Sequence, residues 1–206
     1  MQQVQWQAIY LHGKGGNARE AEHYRALLPG WRVTGFDYRA QTPWEAREEF
    51  LPYFEAARRE GTKLLLIANS IGAFFAMQVL DETQVDRALF ISPVVDMEKL
   101  IGNMMMWANV TERELAEKSE IPTRFGETLS WSYLCYVREH PISWRVPSRI
   151  LYGEHDNLTS LETISAFAEK TGAVLTVMPG GEHWFHTDEQ MRFLDDWITE
   201  SRKYRE

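Results

Sequence analysis

The sequence predicts an α/β fold: a three-layer sandwich in which a mostly parallel sheet of about six strands carries helices on both faces, with one helical insertion. Three observations predict it. Short apolar runs alternate with segments of helical periodicity along the chain. One run, Lys63–Ala68, is apolar at almost every position, as a strand covered on both faces must be. Capping boxes mark several helix starts. With 206 residues and 44% apolar side chains, the composition is that of a globular protein with a packed core.

Val4 to Leu11 reads as the first strand. It stops at His12-Gly13-Lys14-Gly15-Gly16, too rich in glycine for an element interior and suited to close backbone approach. Asn17-Ala-Arg-Glu20 offers an N-cap with Glu three residues on, and Ala21, Tyr24, Leu27 and Leu28 follow at helical spacing until Pro29-Gly30. Trp31 to Phe36 is a second strand. Thr42-Pro43-Trp44-Glu45 opens a helix with a capping box and a proline at its first position, and Pro52 is expected to kink or divide that helix. Lys63–Ala68 is the central strand, followed without a polar gap by Asn69-Ser70-Ile71-Gly72 and the apolar helix Ala73 to Leu80. Asp86–Ser92, Ser148–Tyr152 and Ala173–Met178 supply further strands. Thr159-Ser-Leu-Glu162 leads to Ile164 and Ala168, and Thr187-Asp-Glu-Gln190 to Met191, Leu194, Trp197 and Ile198.

No strand is expected between Pro93 and Pro147, a stretch too long for an ordinary loop. It reads as a helical insertion over 97–146 within a single domain spanning 1–206. Its pieces are Met97–Val110, a helix opened by Thr111-Glu-Arg-Glu114, and Leu129–His140. They carry Met104, Met105, Met106, Trp107, Trp131, Tyr133 and Trp144.

Charge and motifs exclude several function classes. Twenty-two Lys and Arg against thirty Asp and Glu give a net charge of −8, a field that repels phosphate backbones and anionic lipids, so neither nucleic acid nor a membrane is expected as partner. One cysteine, Cys135, closes no internal disulfide and is expected to be a buried thiol. The Met1–Gln7 segment has no basic region or long apolar run, and no later stretch has the length of a membrane span, so a cytoplasmic protein is expected. No His, Asp, Glu or Cys set has metal-ligand spacing, and the glycine loop lacks the Lys-Ser/Thr ending of a nucleotide P-loop; no metal or cofactor is implied.

The residues that can carry chemistry lie after strands. A Ser on a tight strand-to-helix turn has its hydroxyl pushed outward, provided the residues two before and two after are small; here they are Ala68 and Gly72. The helix that follows aims backbone N–H groups at any anion forming nearby. A Ser alone is a poor nucleophile and needs a base and an orienting acid. Asp156 follows the penultimate strand and His183 the last, both at the carboxyl edge that Ser70 and the His12–Gly16 turn share in a parallel sheet. Plainer roles compete. Ser70 could simply cap a helix. His186 also follows the last strand, and Glu154 and Asp96 are alternative acids. His12 is expected to order the glycine loop and His155 to lie at the surface. His23 and His140 have no partner legible in the sequence.

Taken together, the His12–Gly16 loop, the Ala68-Asn-Ser-Ile-Gly72 elbow, Asp156 and His183, in this order, resemble the α/β-hydrolase superfamily over nearly the whole chain. Two departures stand out: Ala68 occupies a position more often Gly, and no antiparallel strands precede the glycine-loop strand. The resemblance implies Ser70 as nucleophile, His183 as general base and then acid, and Asp156 as the carboxylate fixing the imidazole. It also implies an oxyanion hole from the backbone N–H groups of Ile71 and Lys14, with a solvated lysine side chain. The implied protein is a serine hydrolase of carboxylesterase type, cleaving a small ester, thioester or amide through an acyl-serine intermediate. A non-catalytic binding protein on this fold, or a lyase or C–C hydrolase with the same triad, are the alternatives. The insertion would be a lid lending Met105, Trp107 and Trp131 to the substrate alongside Trp184; equally, these side chains would pack the insertion or form part of a homodimer contact.

Overall fold

A computed structural model describes residues 5–58 and 61–203. In chain order the elements are β1 (Gln5–Leu11), a 3-10 turn (Ala18–Glu20), α1 (Ala21–Leu27), β2 (Arg32–Phe36), α2 (Pro43–Ala57), β3 (Thr62–Asn69), α3 (Ser70–Val79), β4 (Arg87–Ile91), α4 (Met97–Ala108), α5 (Glu112–Lys118), β5 (Glu120–Pro122), β6 (Thr128–Ser130), α6 (Trp131–Glu139), β7 (Ser148–Gly153), α7 (Leu161–Thr171), β8 (Val174–Met178) and α8 (Asp188–Lys203). Val4, the expected start of the first strand, lies outside the described residues.

Six strands pair in parallel in the order β2-β1-β3-β4-β7-β8, the α/β sandwich expected from the alternation of elements. Both faces are covered, which is why the central strands read as unbroken apolar runs. On one face Ala8, Tyr10, Leu65, Ile67, Leu89 and Ile91 share a core with Tyr24 and Leu28 near α1 and with Leu194, Trp197 and Ile198 of α8. Residues of opposite parity, Ile9, Leu11, Leu64, Leu66 and Phe90, are buried as well. Here α2 and α3 meet through Phe50 and Phe75, with Phe36 of β2 edge-on to Phe50. Each such fully buried side chain stabilises the fold by about 1.5–3 kcal/mol.

The chain falls into two compact units, one of residues up to Val95 together with those from Ser143, the other Asp96–Ile142. The second unit corrects one expectation: it holds two short antiparallel strands, β5 and β6, in register Ile121 with Leu129. Three residues each are too few to show an alternating pattern, and the turn between them closes through Thr123 and Gly126 at φ +88°. Leu129 is therefore strand, and α6 begins at Trp131 with Ser130 as its cap. Within this unit Arg138 bridges Glu98 and Glu112 at 2.7 Å each. Cys135 is half-buried rather than buried. Trp144, read with the insertion, packs on Phe90 of β4 and donates to Ser148 Oγ at 2.7 Å.

Caps follow the sequence closely, with one shift. Asn17 and Thr42 both form full capping boxes, with Glu20 and Glu45. Helix α7 is capped by Ser160, one residue later than expected, because Thr159 turns inward and is buried. Pro52 does not divide α2: it and Glu48, whose carbonyl loses its partner, both lie on the exposed side, where water can satisfy the oxygen. Among the described residues no helix is long and apolar enough to cross a membrane.

The order of the strands positions the site. From β1 the chain leaves by α1 to β2 on one side, then returns to β3 on the other, so the loops after β1 and β3 diverge above adjacent strands. Such a reversal opens a crevice at the carboxyl edge of the sheet.

Candidate active site

At that reversal Leu11 of β1 pairs with Ala68 of β3, which sets the His12–Gly16 loop beside Ser70. Glycine makes the approach possible. A Cβ on Gly72 would stand 2.4 Å from the His12 carbonyl oxygen, and one on Gly13 only 3.3 Å from Ser70 Cβ. The loop closes on itself through Gly16 N–H to Gly13 C=O at 3.1 Å. Tyr38, buried behind it, donates to the His12 carbonyl at 2.7 Å and stacks on the His12 ring, whose Nδ1 lies 2.8 Å from Gly13 O.

Ser70 opens α3 with φ +49°, a left-handed conformation rare outside glycine and costing about 1–3 kcal/mol. The cap of α3 is Asn69, with no side-chain cap bond, so the Ser70 hydroxyl is not spent on capping. Its Oγ lies 2.8 Å from His183 Nε2. On the far side of the ring, His183 Nδ1 lies 2.7 Å from Asp156 Oδ2, with the carboxylate fully enclosed and the imidazole 16% exposed.

Two glycines let the last loop reach back from β8 to Ser70. Gly153 ends β7, and a Cβ there would lie 2.4 Å from the Glu182 carbonyl; Gly181 packs on Gly153 in turn. The loop is then tied down by His155 N–H to Gly181 C=O at 2.7 Å and Gly180 N–H to the Glu154 carboxylate at 2.8 Å. Asp156 Oδ1 accepts from the N–H groups of Leu158 and Thr159 at 2.8 and 3.0 Å, so a buried charge has its oxygens satisfied. Tyr152 donates to the Thr159 carbonyl at 2.8 Å beneath this turn; burial, then the Asp156 charge, raises its phenol above the usual tyrosine range.

The competing residues sit elsewhere. His186 stacks on Trp184, its Nδ1 2.8 Å from the Trp184 carbonyl and 3.5 Å from Glu182. Asp96 caps α4 through Lys99 N–H. His155 is exposed. His23 and His140, without a legible partner in the sequence, are engaged in the structure: His23 with Asp195 at 2.6 Å, and His140 with Tyr136, on which it stacks. Among the described residues no group of three His, Cys, Asp or Glu is placed to hold a metal ion.

No family model and no curated protein matches the chain. Solved structures do. Est1E from Butyrivibrio proteoclasticus superposes with a TM-score of 0.75 at 16% identity, over 96% of this chain and 87% of its own. Mouse alpha/beta hydrolase domain-containing protein 10 gives 0.70 at 17%, over 95% and 89%. The Pyrococcus furiosus esterase Pf2001 gives 0.60 at 19%, over 97% and 81%. The chain has the α/β-hydrolase fold.

Within this α/β-hydrolase fold, the remaining candidates are distributed as follows. Ile71 lies in the first turn of α3, where backbone N–H groups have no acceptor within the helix. Lys14 is exposed in the glycine turn. Trp184, next to His183, is 69% exposed. Met105 is buried, whereas Trp107 is half exposed and edge-on to Phe125; these two and Trp131 belong to the Asp96–Ile142 unit. Nothing in the residue pattern pointed to Tyr38. Gly153 was not singled out either, although a glycine at a strand end is a signal of close backbone approach.

Proposed function

We propose that this protein is a serine hydrolase that cleaves a small carboxylic ester, thioester or amide through an acyl-Ser70 intermediate. The observation that carries the reading is the continuous chain from the Ser70 hydroxyl through His183 to the enclosed Asp156, at 2.8 and 2.7 Å. With Nδ1–H directed at Asp156, the Nε2 lone pair faces the hydroxyl, which is the tautomer a general base needs.

The chemistry follows from that order. Ser70 Oγ bonds to the substrate carbonyl carbon as its proton passes to His183 Nε2, and Asp156 stabilises the imidazolium. The carbonyl oxygen takes the electron pair and is held by the backbone N–H groups of Ile71 and Lys14, each such donor typically worth about 10²–10³ in rate. Collapse breaks the bond to the leaving group, which receives the proton from His183. Water, deprotonated by the same nitrogen, then releases the acid and restores Ser70. Similar folds support the class: Pf2001 is an esterase, the mouse protein has an alpha/beta hydrolase domain, and Est1E was also solved with ferulic acid bound.

The test is hydrolysis of a panel of p-nitrophenyl esters of rising chain length, with an aromatic-acid ester added. The proposal expects turnover of at least one member by the wild type and none above background by Ser70→Ala. Equal rates for both proteins would contradict it.

A further inference from the structure

Tyr10, next to last in β1, is 1% exposed, yet a phenol is not what this position needs for packing. Its hydroxyl donates to Glu20 Oε2 at 2.5 Å. The other oxygen of Glu20 accepts the Asn17 N–H at 3.0 Å and lies directly under the glycine loop, 2.6 Å from where a Cβ on Gly16 would be. The Asn69 side chain stands on the Gly13 side of the turn. Its Cγ is 3.7 Å from the Cβ position of Gly13, itself against Ser70. Hydrogen bonds thus run from the Asn17 N–H through the Glu20 carboxylate to the Tyr10 hydroxyl, tying the end of the turn to β1. The capping box at Asn17 requires only Asn17 and Glu20. Burying a phenol costs desolvation where phenylalanine would pack freely, so the hydroxyl needs another reason to be there.

We propose that Tyr10 and Glu20 are positioning residues: they lock the His12–Gly16 turn against the Asn69–Ser70 elbow and so fix the distance between the two backbone donors of the oxyanion hole. The inference rests on the acyl-transfer reading and extends it to residues that touch no substrate. Donors that stabilise a developing charge must be held to within a fraction of an ångström, and a displacement of about 1 Å can cost about 10²-fold. Ground-state binding has no such demand.

The test is Tyr10→Phe, assayed with p-nitrophenyl acetate and with phenylboronic acid, whose tetrahedral adduct on a serine mimics the charged intermediate. Expected are a kcat lower by about tenfold, a KM within about twofold, and boronate affinity weakened by the same factor as kcat. Glu20→Ala is expected to behave alike and carries the test should the Phe variant not fold. Glu20→Gln, which can still bond both neighbours, is expected to stay within about threefold of wild type. An active wild type alongside a Tyr10→Phe protein of unchanged kcat and boronate affinity overturns this inference alone. Equal losses in all three variants, tracking melting temperature, also overturn it. A wild type without esterase activity overturns the acyl-transfer reading, and this inference with it.

Discussion

Gly153 and Glu182 are packed so closely that a Cβ on the glycine would fall 2.4 Å from the glutamate carbonyl. Real Cβ atoms do not tolerate that distance to backbone, so one of the two segments must move. Glu182 immediately precedes His183, and the movement is transmitted to the imidazole. Gly153→Ala is expected to lower kcat/KM by about 10²-fold, as a displacement of about 1 Å would. Gly172→Ala is the control: it also holds a constrained conformation, φ +72°, but faces open space at the end of α7. It is expected to lower stability by about 1 kcal/mol while leaving kinetics unchanged. Steady-state assays and thermal melts of both variants check this.

The two histidines after β8 should separate by kinetics. His183→Ala is expected to lose about 10⁴-fold or more in kcat, as deletions within a triad do. Asp156→Asn, which keeps the shape but favours the wrong tautomer, is expected to lose about 10⁴-fold. His186→Ala removes a ring stacked on Trp184 and should stay within about threefold. An inactive His186→Ala beside a competent His183→Ala would reassign the base.

Much of this architecture was legible in the residues. The apolar run Lys63–Ala68 announced a central strand, and Ala68 and Gly72 around Ser70 announced a tight elbow. Asn17 and Thr42 announced helix starts that the structure places at the same residues. What escaped had physical causes. Strands β5 and β6 owe their form to pairing with each other rather than to a pattern of their own. Thr159 reads as a cap by its type, but burial draws it inward and leaves Ser160 to cap. At the site, the sequence could order Ser70, Asp156 and His183 along the chain. It could not supply the backbone contacts of Gly153 and Gly181, or the Tyr38 hydroxyl, because these depend on packing between segments far apart.

Ser92, two residues before the Val94 N–H that donates to the Ser70 carbonyl, offers a test of stability. It is fully buried, and its hydroxyl meets no hydrogen-bond partner among the described residues. An unpaired buried hydroxyl costs about 1–3 kcal/mol. Ser92→Ala should therefore stabilise the protein, raising the melting temperature by a few degrees at about 2–4 °C per kcal/mol. A lower melting temperature would show that the hydroxyl is satisfied in solution.

Alkaline pH should unfold the protein cooperatively. Tyr10, Tyr24 and Tyr38 are buried, and for all three burial is the main reason that the phenol is raised far above its ordinary value. A group whose ionisation is pushed up by folding contributes its stability in full below the unfolded value of about 10, and loses it as pH rises beyond. Each phenol removes about 1.4 kcal/mol per pH unit above that point. Absorbance of tyrosinate and far-UV circular dichroism followed together should change in one step. Phenolate appearing in a protein that keeps its secondary structure would contradict the assignment of these side chains to the core.

The most direct measurement is covalent: incubate the wild type with a fluorophosphonate, digest it, and locate the phosphonyl group by mass spectrometry. The account predicts one adduct, on the peptide that contains Ser70, formed far more slowly in His183→Ala and absent in Ser70→Ala. A folded wild type that never reacts, or an adduct on another residue, would contradict the claim that His183 and Asp156 arm the Ser70 hydroxyl.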